Sequence, residues 1–280
     1  MNIENMIHVP TVEPGENDYR GEDGLLRCGV CGEPKEAFFE GGFLLGGKDR
    51  HPVQCRCQRE AHAKQEAEYR EQQHRNTVFR LRQQGFQNPI MRKWTFDAAP
   101  IRTERLEQCR RYAERWDAVA SQNAGLLFWG DVGTGKSYLA ACIANALIEK
   151  EVPVCMTNLA AVIDHDFEGR TEYIQKLCAY PLLILDDFGM ERDTKFGLET
   201  VYQVIDGRYL SGKPLIVTTN LTLQELKHPQ DTDRARVYDR VLSMTTPVLF
   251  SGPSLRHGQR EENQQLLKSI FEGGDADGQG

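Results

Sequence analysis

From residue 101 onward, short unbroken apolar runs alternate with longer mixed stretches. The runs are "LLFWG" (126–130), "VPVCMTN" (152–158), "PLLILDDF" (181–188), "PLIVTTN" (214–220) and "TPVLFSG" (246–252). A run with no polar alternation belongs to a strand covered on both faces, as in a parallel sheet. Helices are predicted over 103–122, 136–150, 159–179 and 196–211, and one or two short ones over 224–243. Strand alternating with helix predicts an α/β three-layer domain built on a five-stranded parallel sheet.

Upstream the pattern changes. Residues 1–24 are polar and acidic and predict a disordered tail. Residues 25–60 carry four cysteines among many glycines and form a small module of their own. Residues 58–84 contain neither Gly nor Pro and are nearly all polar, so a linker helix, assigned 61–90, is expected to be exposed or to face a partner. The α/β domain then occupies 91–262, and 263–280 is a tail whose end, "EGGDADGQG", is expected to be disordered.

The apolar run "LLFWG" leads directly into "DVGTGKSY". Gly130-x-x-x-x-Gly135-Lys136-Ser137 is the spacing of a phosphate-binding loop. Glycines let backbone N–H groups curl inward toward phosphate oxygens. Lys136 then reaches the outer phosphates and the Ser137 hydroxyl ligates Mg2+. The helix that begins there adds its positive dipole end. Gly130, Asp131, Val132, Gly133, Thr134, Gly135, Lys136, Ser137 and Tyr138 are therefore the expected ATP-binding residues. The run "LLILDDF" ends in Asp186 and Asp187, at the strand end where ligands sit in such sheets. Asp186 suits magnesium and Asp187 suits orienting or activating water. Asn220 ends the next apolar run and can position that water. Arg240, in "VYDRVLS", and Arg256, in "GPSLRHG", are candidates for meeting charge that develops on a transferred phosphoryl group. Arg234 and Arg236 lie close enough to Arg240 to compete for that role.

Cys28-x-x-Cys31 and Cys55-x-Cys57 supply four thiolates within thirty residues. Paired thiolates at short spacing suit tetrahedral Zn2+, with His51 near enough to replace one ligand. So short and Gly-rich a segment needs such a staple to fold. Cys109, Cys142, Cys155 and Cys178 fall on predicted helices and strands and are expected in the core. The net charge is −7, which argues against a surface coated with nucleic-acid-binding charge but leaves room for a local basic groove. The N-terminus has no signal-peptide pattern and no apolar run approaches membrane-spanning length, so a cytoplasmic protein is expected.

The ordered set "GDVGTGKS", "LLILDDFG", "IVTTN", "YDRV" and "GPSLR" resembles AAA+ ATPases over about residues 90–260. Within them it resembles the helicase-loader branch (DnaC/DnaI-like), which also includes IstB-like transposition ATPases. The resemblance implies that Lys136 and Ser137 are Walker A, Asp186 and Asp187 Walker B, Asn220 sensor 1, Arg240 an arginine finger reaching a neighbour's ATP, and Arg256 sensor 2. "WTFD" at 94–97 is similar to the aromatic lead-in of that domain. Asp187 stands where many AAA+ proteins have Glu, and the shorter side chain implies slow turnover. The implied activity is ATP-dependent loading of a replicative DnaB-type helicase onto single-stranded DNA, with homo-oligomerisation through AAA+ interfaces. An N-terminal zinc module that grips the helicase occurs in some loaders, whereas a transposition helper acting on duplex DNA is the alternative. Arg192, Lys195 and Arg208 are the basic candidates near the nucleotide site for a groove that holds single-stranded DNA, solvated surface charge being their plainer role.

Overall fold

The computed structural model describes residues 12–38, 50–165, 168–190, 194–229, 231–255 and 264–271. The chain divides into two compact units, Met1–Arg75 and Asn76–Gly280. The division falls inside the long helix α1 (Arg56–Gly85). The domain boundary expected at residue 91 therefore moves upstream. The cause is apolar: Val78, Leu81 and Phe86 are buried in the larger unit's core. A Cβ at Gly85 would lie 2.5 Å from the Val154 carbonyl oxygen, so this end of the helix sits directly against the sheet. Only the polar stretch of α1 before Asn76 matches the exposed helix expected from sequence.

In the first unit, the strands β1 (Tyr19–Arg20) and β2 (Leu26–Arg27) pair antiparallel, as do β3 (Glu36–Phe38) and β4 (Arg50–Pro52). The tail expected over 1–24 is thus structured in its described part. Asp18 organises it, accepting N–H groups of Gly15 and Gly29 and pairing with Lys35. The Lys35 bond, with those two backbone donors, holds the Asp18 carboxyl down at about 2.

In the second unit, α2 (Glu104–Glu114) and α3 (Trp116–Ser121) replace the single helix expected over 103–122. Arg115 leaves the helical region between them. Strand β5 (Gly125–Gly130) leads to α4 (Lys136–Glu149). Then follow β6 (Val154–Asn158), α5 (Leu159–Ile163), α6 (Arg170–Ala179), β7 (Leu182–Phe188), α7 (Lys195–Ser211), β8 (Leu215–Thr219), α8 (Leu223–Lys227), α9 (Thr232–Met244) and β9 (Thr245–Phe250). The sheet is fully parallel in the order β6-β7-β8-β5-β9. Successive side chains on β7 enter opposite cores. Leu182 and Ile184 join α2 and α4 on one face, and Leu183 and Leu185 join α6, α7 and α9 on the other. That two-sided burial explains why the runs show no polar alternation. A further helix occupies 264–271, while 272–280 lies outside the described residues. Among the described residues no helix is long and apolar enough to cross a membrane.

Arg208 departs from expectation. It is fully buried, with Nη1 donating to the carbonyls of Cys178 (3.0 Å) and Tyr180 (2.7 Å) and Nη2 to those of Pro181 (3.0 Å) and Pro214. It ties the starts of β7 and β8 together and presents no surface to a nucleic acid. Arg208→Ala is expected to cost about 3–5 kcal/mol, because it orphans buried carbonyls and leaves a cavity. Urea unfolding of the full chain checks this. The other basic candidates divide: Lys195 is exposed at the start of α7, and Arg192 lies outside the described residues.

Candidate functional site

Three strand ends meet at one edge of the sheet. Strand β5, flanked by β8 and β9, opens into the loop 130–135. Gly130, Gly133 and Gly135 have φ of +123°, +82° and +95°, which only glycine adopts without strain. The space is equally restrictive, since a Cβ at Gly133 would lie 2.1 Å from Ser254 Oγ. Lys136 is buried, and its Nζ donates to the carbonyls of Gly130 (2.8 Å) and Asp131 (2.7 Å), bringing the ammonium over the loop. Thr134 Oγ1 closes the turn by donating to the Asp131 carbonyl at 2.8 Å. The N-terminus of α4 carries no side-chain cap, so its first amides suit phosphate oxygens. Tyr138 turns the other way: its hydroxyl donates to the Thr95 carbonyl (3.1 Å) and its ring sits 5.5 Å from Trp94. "WTFD" is thereby fastened to α4.

Ser137 lies beside Asp186, near enough for its hydroxyl to favour the ionised carboxylate. Asp186 accepts from Thr218 Oγ1 at 2.6 Å. Burial raises the Asp186 carboxyl, and the hydroxyls of Thr218 and Ser137 oppose that rise. A hydroxyl and a carboxylate, both oxygen donors beside a phosphate loop, fit Mg2+. Asp187 sits in a β-bulge, where the β7–β8 register shifts between Leu185 and Phe188. Its φ is +53° and its N–H donates to Thr218 Oγ1 at 3.0 Å. The bulge swings the second carboxylate out of the sheet, and Asp187 is exposed where Asp186 is buried. Sequence reasoning missed Thr218, which bonds to both members of the pair. The signal was present, because two threonines interrupt an apolar strand in "IVTTN". Thr219 likewise donates to the Phe188 carbonyl at 2.7 Å.

Asn220 follows β8 directly, between the strand ends that carry Gly130 and Asp187. Arg240 stands apart, on α9 against α7, with Nη1 2.5 Å from Asp206 Oδ1. Arg234 and Arg236 lie on the same helix, Arg236 exposed and Arg234 half-buried. Arg256 lies outside the described residues. The segment leading to it crosses the phosphate loop, and the Leu255 N–H donates to the Gly133 carbonyl at 2.9 Å.

The cysteine module is separate. The sulfurs of Cys28, Cys31 and Cys55 lie within 4.8 Å of one another, and Cys57 is near enough to influence Cys31 while falling outside that three-sulfur group. Gly32, at φ +72°, turns the chain so that the Gly32 N–H reaches the Cys28 carbonyl at 2.8 Å. Backbone hydrogen bonds from Cys57 and Glu33 bring the Cys31 thiol down to about 6. Burial pushes the Cys55 thiol up, and the neighbouring Cys31 sulfur pushes Cys57 up to about 11. Clustered sulfurs that resist joint ionisation without a cation are a donor set that fits zinc. His51 pairs with Ala37 on the neighbouring strand and is not in the sulfur cluster. Cys109, Cys142, Cys155 and Cys178 are buried, as expected of core residues.

The family of IstB-like ATP binding proteins matches residues 64–263. The chain belongs to that family. It is 27% identical over 159 residues to the replicative helicase loader DnaC of Escherichia coli K12, covering 54% of this chain and 62% of DnaC. It is 30% identical over 156 residues to Rv3427c, described as an ATP-binding protein in an insertion sequence of Mycobacterium tuberculosis, covering 53% and 61%. The chain therefore spans less than two thirds of either relative's length. A crystal structure of DnaI superposes with a TM-score of 0.52 at 23% identity, covering 62% of this chain and 98% of that one, and it shares the fold. The three-layer α/β fold on a five-stranded parallel sheet, expected from the sequence, is the one observed.

Proposed function

We propose that this IstB-like protein is an ATP-dependent loader of a replicative helicase onto single-stranded DNA. The observation that carries the reading is the pairing, in one chain, of a DnaC-like nucleotide site with a four-cysteine module. Lys136, the loop amides and the α4 N-terminus bind the phosphates. Ser137 and Asp186 would hold Mg2+, which when bound would supply positive charge against that of the phosphates. Asp187, carried outward by its bulge, orients and activates the attacking water, and Asn220 helps position it. Arg240 is supplied to the site of a neighbouring copy and Arg256 to the chain's own, each meeting charge on the transferred phosphoryl group. The bound nucleotide holds the helicase and DNA, and hydrolysis releases the helicase. A zinc ion on Cys28, Cys31, Cys55 and Cys57 folds the module that docks the helicase.

The test is co-purification of the full chain with a replicative helicase in ATP and in ADP, beside Cys28→Ser. A complex that forms with ATP and is lost in Cys28→Ser is expected. No complex in either nucleotide, with ATP-dependent binding of duplex DNA instead, would favour the transposition-helper reading to which the insertion-sequence relative points.

Zinc has its own check. Elemental analysis is expected to give about one Zn2+ per chain, four thiolates completing one tetrahedral site. Removing it with a chelator should unfold the cysteine module while nucleotide affinity stays within about twofold, because the nucleotide site lies wholly in the other unit. A metal-free protein with an intact module would exclude the zinc assignment.

A further inference from the structure

Arg240 is more elaborately held than a surface arginine needs to be. Besides the 2.5 Å contact with Asp206, its guanidinium lies 4.8 Å over the Tyr202 ring and 5.8 Å from the Tyr209 ring. All three partners stand on one helix, α7, spaced so that Tyr202, Asp206 and Tyr209 fall on the same face. The arginine and the carboxylate each keep 28% of their side-chain exposure, so the group is steadied without being sealed.

The clamp is not needed to join the two helices. Val201, Val204 and Ile205 of α7 already pack with Val237, Tyr238 and Val241 of α9 in one apolar cluster. A partly exposed ion pair adds little to stability beyond such packing. What the clamp does fix is direction. An arginine carries five N–H donors on a flexible stem. Stacking sets the plane of the guanidinium, and the charge attraction of Asp206, an ion pair without hydrogen-bond geometry at Nη1, draws that edge toward α7.

We infer that Asp206 and Tyr202 are positioning residues, which hold Arg240 aimed at the nucleotide of a neighbouring copy. The inference rests on the reading of Arg240 as the arginine supplied between copies. Asp206 takes one edge of the guanidinium and orients the rest toward the phosphate. Tyr202 keeps the plane from swinging, so the rotamer freedom of the side chain is lost before the copies meet rather than in the transition state.

The test measures ATP hydrolysis by the full chain against protein concentration, with nucleotide affinity and melting temperature recorded beside it. Asp206→Ala is expected to lower the plateau rate about tenfold while nucleotide affinity and melting temperature stay put. Tyr202→Phe, which keeps the ring, should remain near the unmodified rate, and Tyr202→Leu should fall toward Asp206→Ala. The deciding variant is the double mutant. If Asp206 acts through Arg240, then Asp206→Ala combined with Arg240→Ala is no slower than Arg240→Ala alone. A further fall in the double mutant, a parallel loss of melting temperature, or an unchanged or faster Asp206→Ala overturns the positioning role and leaves the role of Arg240 standing. An Arg240→Ala variant that keeps the full rate at every concentration overturns both together.

Discussion

Lys136→Ala is expected to yield a folded chain that neither holds nor hydrolyses ATP. Lys136 is one of few buried cations in the larger unit, and its ammonium already rests on the Gly130 and Asp131 carbonyls, over the loop that receives the phosphates. Truncation removes charge-assisted bonds to phosphate, worth about 1.5–3 kcal/mol each, so nucleotide affinity should fall about 10- to 100-fold or more. Hydrolysis should fall further, by about 10²–10³-fold beyond the binding loss, because charge on the transferred group goes unmet. The fold itself should persist. The glycine geometry of the loop does not depend on the side chain, and α4 is anchored by the buried Leu139, Ile143, Leu147 and Ile148. A fluorescent-nucleotide titration read beside the melting temperature separates lost binding from lost structure.

Asp187→Asn should do the reverse, sparing affinity and removing turnover. The replacement is chosen for its backbone. Asp187 occupies φ +53°, and Asn tolerates that region while Ala and most other residues do not. Its N–H bond to Thr218 is kept, so the bulge that aims the side chain survives. Only the carboxylate that accepts a proton from water is lost, which predicts a fall in hydrolysis of about 10²–10⁴-fold with ATP affinity within about twofold. Single-turnover hydrolysis with bound nucleotide measured in parallel checks it. Asp186→Asn should differ by weakening magnesium dependence, since Asp186 is the carboxylate that lies beside Ser137.

The ATPase core was legible because its two signals are strong. Strands buried on both faces appear as unbroken apolar runs, and a phosphate loop needs glycines at fixed spacing. All five runs became strands of one parallel sheet, and the loop and the carboxylates stand at one edge of it. Local hydrophobicity could not convey the rest. Arg208 was taken for a surface cation because sequence shows a charge but not the four carbonyls that converge on it. The sequence through 58–84 predicts a helix that is exposed or faces a partner, because the three buried positions of α1, Val78, Leu81 and Gly85, are too few to impose a period on its thirty residues. The N-terminal boundary was misplaced because β1 is two residues long and owes its place to Asp18, a polar anchor with no hydrophobic pattern. Thr218 is the instructive miss: a hydroxyl inside an apolar strand is the mark of a polar site that the strand end must organise.

The loader account is tested most directly by placing a replicative helicase on a closed circle of single-stranded DNA coated with single-strand-binding protein. On such a circle the helicase ring has no free end to thread. The account predicts that the full chain with ATP deposits helicase, scored as unwinding of an annealed strand. It predicts that Lys136→Ala deposits none, and that Asp187→Asn forms the complex without releasing active helicase. Unwinding that is the same with and without the chain, or undiminished by Lys136→Ala, would contradict it.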